Sequence, residues 1–181
     1  HFRIVDDIEN LKTISRNKFD REQYSIEGFF EFCFGDHQEG CYYHENPLHE
    51  GEVGGELLDY WINSLLNATI QLKKKEIGYV AIKEIETVQT WIELKRENGN
   101  LIINEAIDTP HKITALMLTS KYENFTYIEP IDYCIEFDKF ENEVIKCARK
   151  FLDELQSLNP ELVQTQMALE LNEKIRMINA L

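Results

Sequence analysis

The residues best suited to chemistry crowd into one stretch, residues 36–52, which holds three of the five histidines. Five side chains in or beside it have ligand types that zinc prefers: Cys33, His37, Cys41, His44 and His49. Their spacing matches no zinc-finger pattern, and Pro47 prevents the helix that a His-Glu-x-x-His site needs. A metal-dependent enzyme built on this loop is therefore the alternative hypothesis, and the primary prediction includes no metal and no cofactor.

A thiol beside a histidine is a second route to chemistry, through Cys41 with His44 or Cys33 with His37. No basic group adjoins either thiol, and we expect the surrounding carboxylates to raise the thiol pKa. The chain also contains no Gly-x-Ser-x-Gly, no P-loop and no Gly-x-Gly-x-x-Gly. These patterns favour a protein that is not an enzyme.

The charge of the chain is strongly negative and unevenly distributed. Its 181 residues include 33 acidic and 19 basic side chains, for a net charge of −14. Between Asp20 and Asp59 eleven acidic residues accompany a single basic one, Arg21, so this segment alone carries −10. Such a charge disfavours nucleic acid and anionic membranes as partners, and favours steered association with a basic protein.

We predict that the 36–52 loop is a surface for binding that basic partner. Tyrosines commonly anchor interfaces, and carboxylates complement lysine and arginine. We expect one of the two adjacent tyrosines to pack inward, as strand alternation requires. The predicted partner-binding residues are Asp36, Glu39, Tyr42, Tyr43, His44, Glu45, His49, Glu50 and Glu52.

Hydrophobic periodicity predicts the elements that hold this loop. Phe30, Phe32 and Phe34 alternate with polar residues as in a strand with one buried face, and Cys41–Tyr43 is expected to return as a second strand. A long amphipathic helix is predicted from Glu56 to Lys74. Short strands follow at 79–82, 88–94, 101–103, 113–118 and 131–137, with an Asn98-Gly99 hairpin turn between the second and third.

The C-terminal part predicts a helical hairpin. One stripe runs from Phe140 to Leu155, and Asn159-Pro160-Glu161 is typical of the first turn of a second helix. The predicted fold is therefore α+β, a largely antiparallel sheet of about five to seven strands with one central helix and this hairpin packed on it. We expect a single domain over 1–181, with reduced cysteines, in the cytoplasm. Because the chain opens on His1 instead of Met, the sequence leaves open whether residues precede it.

The organisation of the chain resembles the small acidic immunity proteins encoded beside bacterial polymorphic or contact-dependent toxins. The resemblance lies in the run from Glu27 to Phe32, the Gly51-Glu52 loop that leads into residues 57–61, and the closing helix from Phe140 to Leu152. It implies a cytoplasmic inhibitor whose acidic surface covers the basic active site of a cognate toxin domain, often a nuclease. Immunity proteins share no catalytic signature, so the resemblance assigns no functional residue. The remaining alternative is a structural or regulatory domain that forms a homodimer through a sheet edge or the helical hairpin.

Overall fold

The computed structural model describes residues 1–5, 7–43, 48, 54–74, 76–85, 87, 89–109, 113–127 and 133–181. They form helices and two antiparallel sheets, which confirms the predicted α+β class. The chain divides into two compact units: unit 1 is 1–63 with 146–176, and unit 2 is 64–145 with 177–181. The predicted strands are thus shared between two sheets instead of forming one, because alternation identifies a strand but not its neighbours.

Sheet A belongs to unit 1 and is built around one long strand. Its members are β1 (Phe2–Ile4), β2 (Glu27–Phe34), β3 (His37–Cys41) and β4 (Glu56–Leu57). Within the described part of the chain, β2 pairs with all three others, each time antiparallel. The predicted phenylalanine strand is confirmed as β2, whereas its return strand covers His37–Cys41 instead of 41–43. Strand β1 was missed, because three residues are too few to show alternation.

Unit 1 also contains α1 (Ile8–Thr13), α2 (Arg16–Glu22), the start of α3 (Leu58–Lys73), the end of α4 (Phe137–Leu158), a 3₁₀ turn at Leu162–Gln164 and most of α5 (Gln166–Ala180). Two of these helices, α3 and α4, pack on one face of sheet A. The Trp61 ring of α3 stacks on Phe30 at 5.1 Å, and the Phe151 ring of α4 meets Phe2 at 5.7 Å. C-terminal helices therefore pack on a sheet, as predicted.

The second C-terminal helix begins later than predicted. Asn159-Pro160-Glu161 leads only into the 3₁₀ turn, and α5 starts at Gln166. There the Gln166 N–H donates to Asp20 Oδ1 at 2.9 Å, and the Ala168 N–H donates to Thr165 Oγ1 at 3.4 Å. One first-turn donor of α5 is thus satisfied by the local N-cap, Thr165, and the other by Asp20, which is far away in sequence and which local capping rules do not reveal.

Sheet B belongs to unit 2. Its order is β8 (Met117–Leu118), β5 (Tyr79–Lys83), β6 (Thr90–Glu97), β7 (Asn100–Ile107) and β9 (Tyr133–Glu136). The predicted hairpin turn is confirmed, since Asn98 and Gly99 have φ of 49° and 84°, the pair of positive values that a type I′ turn requires. Strand β8 is shorter than the predicted 113–118, and part of the predicted strand 131–137 lies outside the described residues.

One face of sheet B packs on the parts of α3 and α4 that belong to unit 2. Arg96 donates to the Leu72 carbonyl at 2.6 Å and lies 4.0 Å from the centre of the Phe137 ring. Lys73 of α3 pairs with Glu141 of α4 at 2.9 Å. Within the described residues, no helix has both the length and the apolar character needed to cross a membrane.

Candidate functional site

Successive side chains along each strand of sheet A point to opposite faces of the sheet. The face turned away from Trp61 and Phe151 carries Glu27, Phe29, Glu31 and Cys33 on β2 and Arg3 on β1, with His1 beside it. We call this the outer face of sheet A. It combines acidic, aromatic and sulfur-bearing side chains, and these residues lie outside the 36–52 loop for which the sequence predicted a surface of tyrosines, histidines and carboxylates.

Tyr42 and Tyr43 fold back onto this outer face. The Tyr43 ring stacks on Phe29 at 5.9 Å, and its carbonyl accepts a hydrogen bond from Arg3 Nη1 at 3.0 Å. The Tyr42 ring meets the edge of His1 at 5.9 Å. Both tyrosines are half-buried, because β3 ends at Cys41 and strand alternation no longer separates them. The expectation that alternation turns one tyrosine inward is therefore wrong, because both rings pack on the outer face.

Glu31 is the most deeply buried charged residue of the outer face, with 7% of its surface exposed. Its Oε2 accepts a hydrogen bond from the Cys33 thiol at 3.2 Å. Desolvation, and after it this hydrogen bond and the charge of Glu31, raises the pKa of the Cys33 thiol, as expected from the surrounding carboxylates. A protonated thiol is a weak nucleophile, so Cys33 is poorly suited to covalent catalysis.

The proposed couple of Cys33 with His37 is not brought together. The register places Cys33 opposite Gln38 and His37 opposite Phe34, so strand alternation points the thiol and the imidazole to opposite faces. The His37 ring instead lies 4.7 Å from the Phe34 ring. The other couple rests on His44, which lies outside the described residues.

A different set of metal-ligand types meets on the outer face. One ligand atom from each of His1, Glu31 and Cys33 lies within 4.8 Å of the others. These atoms are of the types that zinc accepts. His1 and Glu31 were absent from the ligand set considered from sequence, because the pairing of Phe2 with Phe30 that brings them together is a tertiary feature.

Several carboxylates of the acidic stretch hold unit 1 together. Asp59 Oδ1 accepts a hydrogen bond from the Ile26 N–H at 2.9 Å, and Glu56 Oε2 accepts one from the Trp61 indole at 2.5 Å. Asp20 caps the start of α5. The negative charge between Asp20 and Asp59 is therefore partly a structural device, and only the remainder is available to a partner.

The predicted partner-binding residues occupy different places. Asp36 is exposed in the turn between β2 and β3, whereas Glu39 is half-buried on β3, with an oxygen 3.6 Å from His37 Nε2. Tyr42 and Tyr43 share the outer face. The other five lie outside the described residues: His44, Glu45, His49, Glu50 and Glu52. Glu27, which the prediction did not include, is exposed on the outer face at the start of β2.

No family model, curated protein or solved structure matches this chain. The resemblance to immunity proteins therefore stays a prediction, and the function has to be argued from the chemistry of the site.

Proposed function

We propose that this protein binds and inhibits a basic protein partner, a cognate toxin domain of bacterial origin, through the outer face of sheet A and the acidic stretch around it. The observation that carries the proposal is the position of Tyr42 and Tyr43 on the same face as the exposed carboxylate of Glu27. Aromatic anchors beside carboxylates suit a surface of lysine and arginine, because the rings supply contact area and the carboxylates supply charge complementarity.

The placement of the tyrosines lowers the cost of binding. Their rings already contact Phe29 and His1, so fewer rotamers remain to be immobilised when a partner docks. The net charge of −10 between Asp20 and Asp59 speeds the encounter with a cation-rich surface, and a nuclease active site is one such surface.

The same proposal places the protein in the cytoplasm. Cys33 and Cys134 are exposed free thiols. Exposed free thiols persist in a reducing compartment.

Co-expression with the product of the neighbouring gene tests this function. We expect the two proteins to co-elute from a size-exclusion column and the cells to be protected from the toxicity of the partner. Glu27→Lys should weaken the complex, whereas Asp153→Lys, the same charge change at an exposed position on α4, should leave it nearly unaffected. Absence of both co-elution and protection, or a lone homodimer in their place, contradicts the proposal.

A metal centre is the second candidate function, and the trio of His1, Glu31 and Cys33 is the observation that favours it. If this trio is a site, zinc should bind with a stoichiometry of about one, and Cys33→Ser should abolish binding. Elemental analysis of untagged protein together with a zinc titration decides the point. Metal far below one equivalent, with no uptake during the titration, removes this candidate.

A further inference from the structure

Unit 2 contains a cleft on the face of sheet B that is turned away from α3 and α4. Its volume is about 580 Å³, within the range of small-ligand pockets. The described side chains that matter for its chemistry are Tyr79, Glu93, Lys95, Asn104, Lys121 and Tyr127. Beyond the cleft, the same face is closed by a small apolar cluster of Ala81, Trp91, Ala106 and Phe125.

Glu93 is a buried carboxylate that lines this cleft with only 6% of its surface exposed. Its Oε1 accepts a hydrogen bond from the Tyr79 hydroxyl. Within the part of the chain that the structure describes, the Tyr79 hydroxyl is the hydrogen-bond donor shown for Glu93, and it contacts Oε1 and not Oε2. A cation stabilises a carboxylate that is withdrawn from water, so Oε2 is the atom of this site best suited to accept one.

Two basic side chains near Glu93 in sequence contact other groups. Lys95, the next residue on the same face of β6, forms its ion pair with Glu97, where Nζ lies 2.5 Å from Oε1. Arg96 points to the other face of the sheet, where it contacts the Leu72 carbonyl. Lys121 is an exposed residue of the cleft.

Tyr79 holds the carboxylate in place. Burial, followed by the hydrogen bond to Glu93 and its charge, raises the pKa of the Tyr79 phenol far above its ordinary value. The phenol therefore stays protonated at neutral pH and keeps donating to Oε1. Tyr127 lies close to Tyr79 and is exposed, so an aromatic ring also borders the open side of the site.

We propose that this cleft binds a cationic nitrogen, an ammonium or guanidinium group, with Glu93 Oε2 as the acceptor, Tyr79 as the residue that positions the carboxylate, and Tyr127 as an aromatic wall. A charged nitrogen supplies both a hydrogen bond and a positive charge to Glu93 Oε2. Aromatic faces attract the same groups. Small amines and the side chains of lysine or arginine share this chemistry. The inference does not depend on the proposed function, which concerns the outer face of sheet A.

The test titrates the isolated protein with argininamide and lysinamide, each acetylated on the α-amino group so that only the side chain is cationic, while amide chemical shifts are followed by NMR. We expect saturable shifts around Tyr79 and Glu93 with a dissociation constant on the order of a millimolar. Citrullinamide acetylated in the same way, an analogue of the arginine probe with a neutral side chain, should bind at least about tenfold more weakly. Equal binding of argininamide and citrullinamide, or no saturable binding of either cation, overturns the proposal.

Matched variants locate the site. Glu93→Gln keeps the size of the side chain and an acceptor for Tyr79, and should weaken the binding of the cations about tenfold or more. Glu123→Gln, at an exposed position of the same unit outside the cleft, should change it less than about twofold. Equal effects of the two substitutions overturn the assignment. If Glu93→Gln does not fold, the comparison of argininamide with citrullinamide on the wild-type protein still decides.

A blocked tripeptide, acetyl-Gly-Arg-Gly-amide, distinguishes the two sources of the cation. Binding as tight as that of argininamide points to a side chain of a protein partner, whereas binding of the small amides alone points to a diffusible amine. Either result supports the cation site, and failure of all three probes overturns it without bearing on the toxin complex.

Discussion

Glu31 and Glu93 lie on strands of different sheets, yet both are almost completely buried, and each accepts a hydrogen bond from a weakly acidic side chain. The donor is the Cys33 thiol in one case and the Tyr79 phenol in the other. In both cases burial, followed by the hydrogen bond to the carboxylate and its charge, raises the pKa of the donor, so the proton stays on sulfur or on the phenol oxygen. Individual buried glutamates thus give each unit its distinctive chemistry.

Replacing Glu31 should make Cys33 more reactive. A raised thiol pKa leaves less thiolate at a given pH, and Glu31→Gln removes the negative charge that contributes to the shift. We expect Cys33 of this variant to be alkylated several-fold faster at pH 8 than Cys33 of the wild type. Mass spectrometry measures the rate, and Cys134, exposed on β9, provides an internal reference whose rate should not change. An unchanged Cys33 rate contradicts the coupling.

Gly28 is required by close packing at the crossing of β1, β2 and α3. A Cβ at this position overlaps the Arg3 carbonyl oxygen and lies 2.6 Å from Leu58 Cδ1. We expect Gly28→Ala to lower the free energy of unfolding by about 2 kcal/mol in urea denaturation. At exposed Gly78 the nearest atom to a Cβ is the Arg96 carbonyl oxygen at 3.6 Å, so Gly78→Ala should be neutral or slightly stabilising. Similar losses for both variants contradict the packing argument.

At the scale of the elements, the contact between the end of α1 and the segment that links α4 to α5 depends on one side-chain amide. Asn159 is buried, and its Nδ2 donates to the carbonyls of Leu11 and Ile14 at 3.0 and 2.9 Å. Its Oδ1 accepts a hydrogen bond from the Glu161 N–H at 3.0 Å. The sequence predicted an N-cap at this position, and the structure shows that the same side chain also satisfies the last carbonyls of α1.

Asn159→Asp tests this contact. The substitution replaces a double donor by an oxygen that faces two carbonyls, so we expect a loss of about 3 kcal/mol in the free energy of unfolding, measured by chemical denaturation at neutral pH. Asn142→Asp, the same change at an exposed position on α4, should cost less than about 0.5 kcal/mol. A loss at Asn159 no larger than that at Asn142 would show that the amide does not hold this contact.

The elements with a strong local signal were predictable from sequence. Helix α3 covers Leu58–Lys73 inside the predicted 56–74, and the Asn98-Gly99 turn has the predicted geometry, because periodicity and turn chemistry are local. The start of α5 was placed too early, since Thr165 supplies only one of its two capping acceptors and the other, Asp20, is far away in sequence. Strand β1, whose pairing with β2 sets up the outer face, was not predicted either. The types of residue in the candidate site, tyrosines and carboxylates, could be predicted from the sequence. Which residues lie side by side in it could not.

At the scale of the whole molecule, the acidity serves two purposes. Part of the charge between Asp20 and Asp59 caps helices and orders turns, as Asp20 and Asp59 do. Exposed carboxylates such as Glu27 and Asp36 remain for long-range attraction. This division predicts that removing exposed charges of the stretch slows association with a basic partner without lowering stability.

The most direct test of the central claim is the association rate constant with the co-eluting partner, measured by stopped flow across a range of ionic strength. We predict a rate that falls steeply as salt rises, and a smaller salt dependence for the double variant Glu27→Gln, Asp36→Asn. The double variant Glu123→Gln, Asp153→Asn changes the net charge equally at exposed positions elsewhere and should behave more like the wild type. A rate that does not depend on salt, or equal effects of the two double variants, would contradict the account.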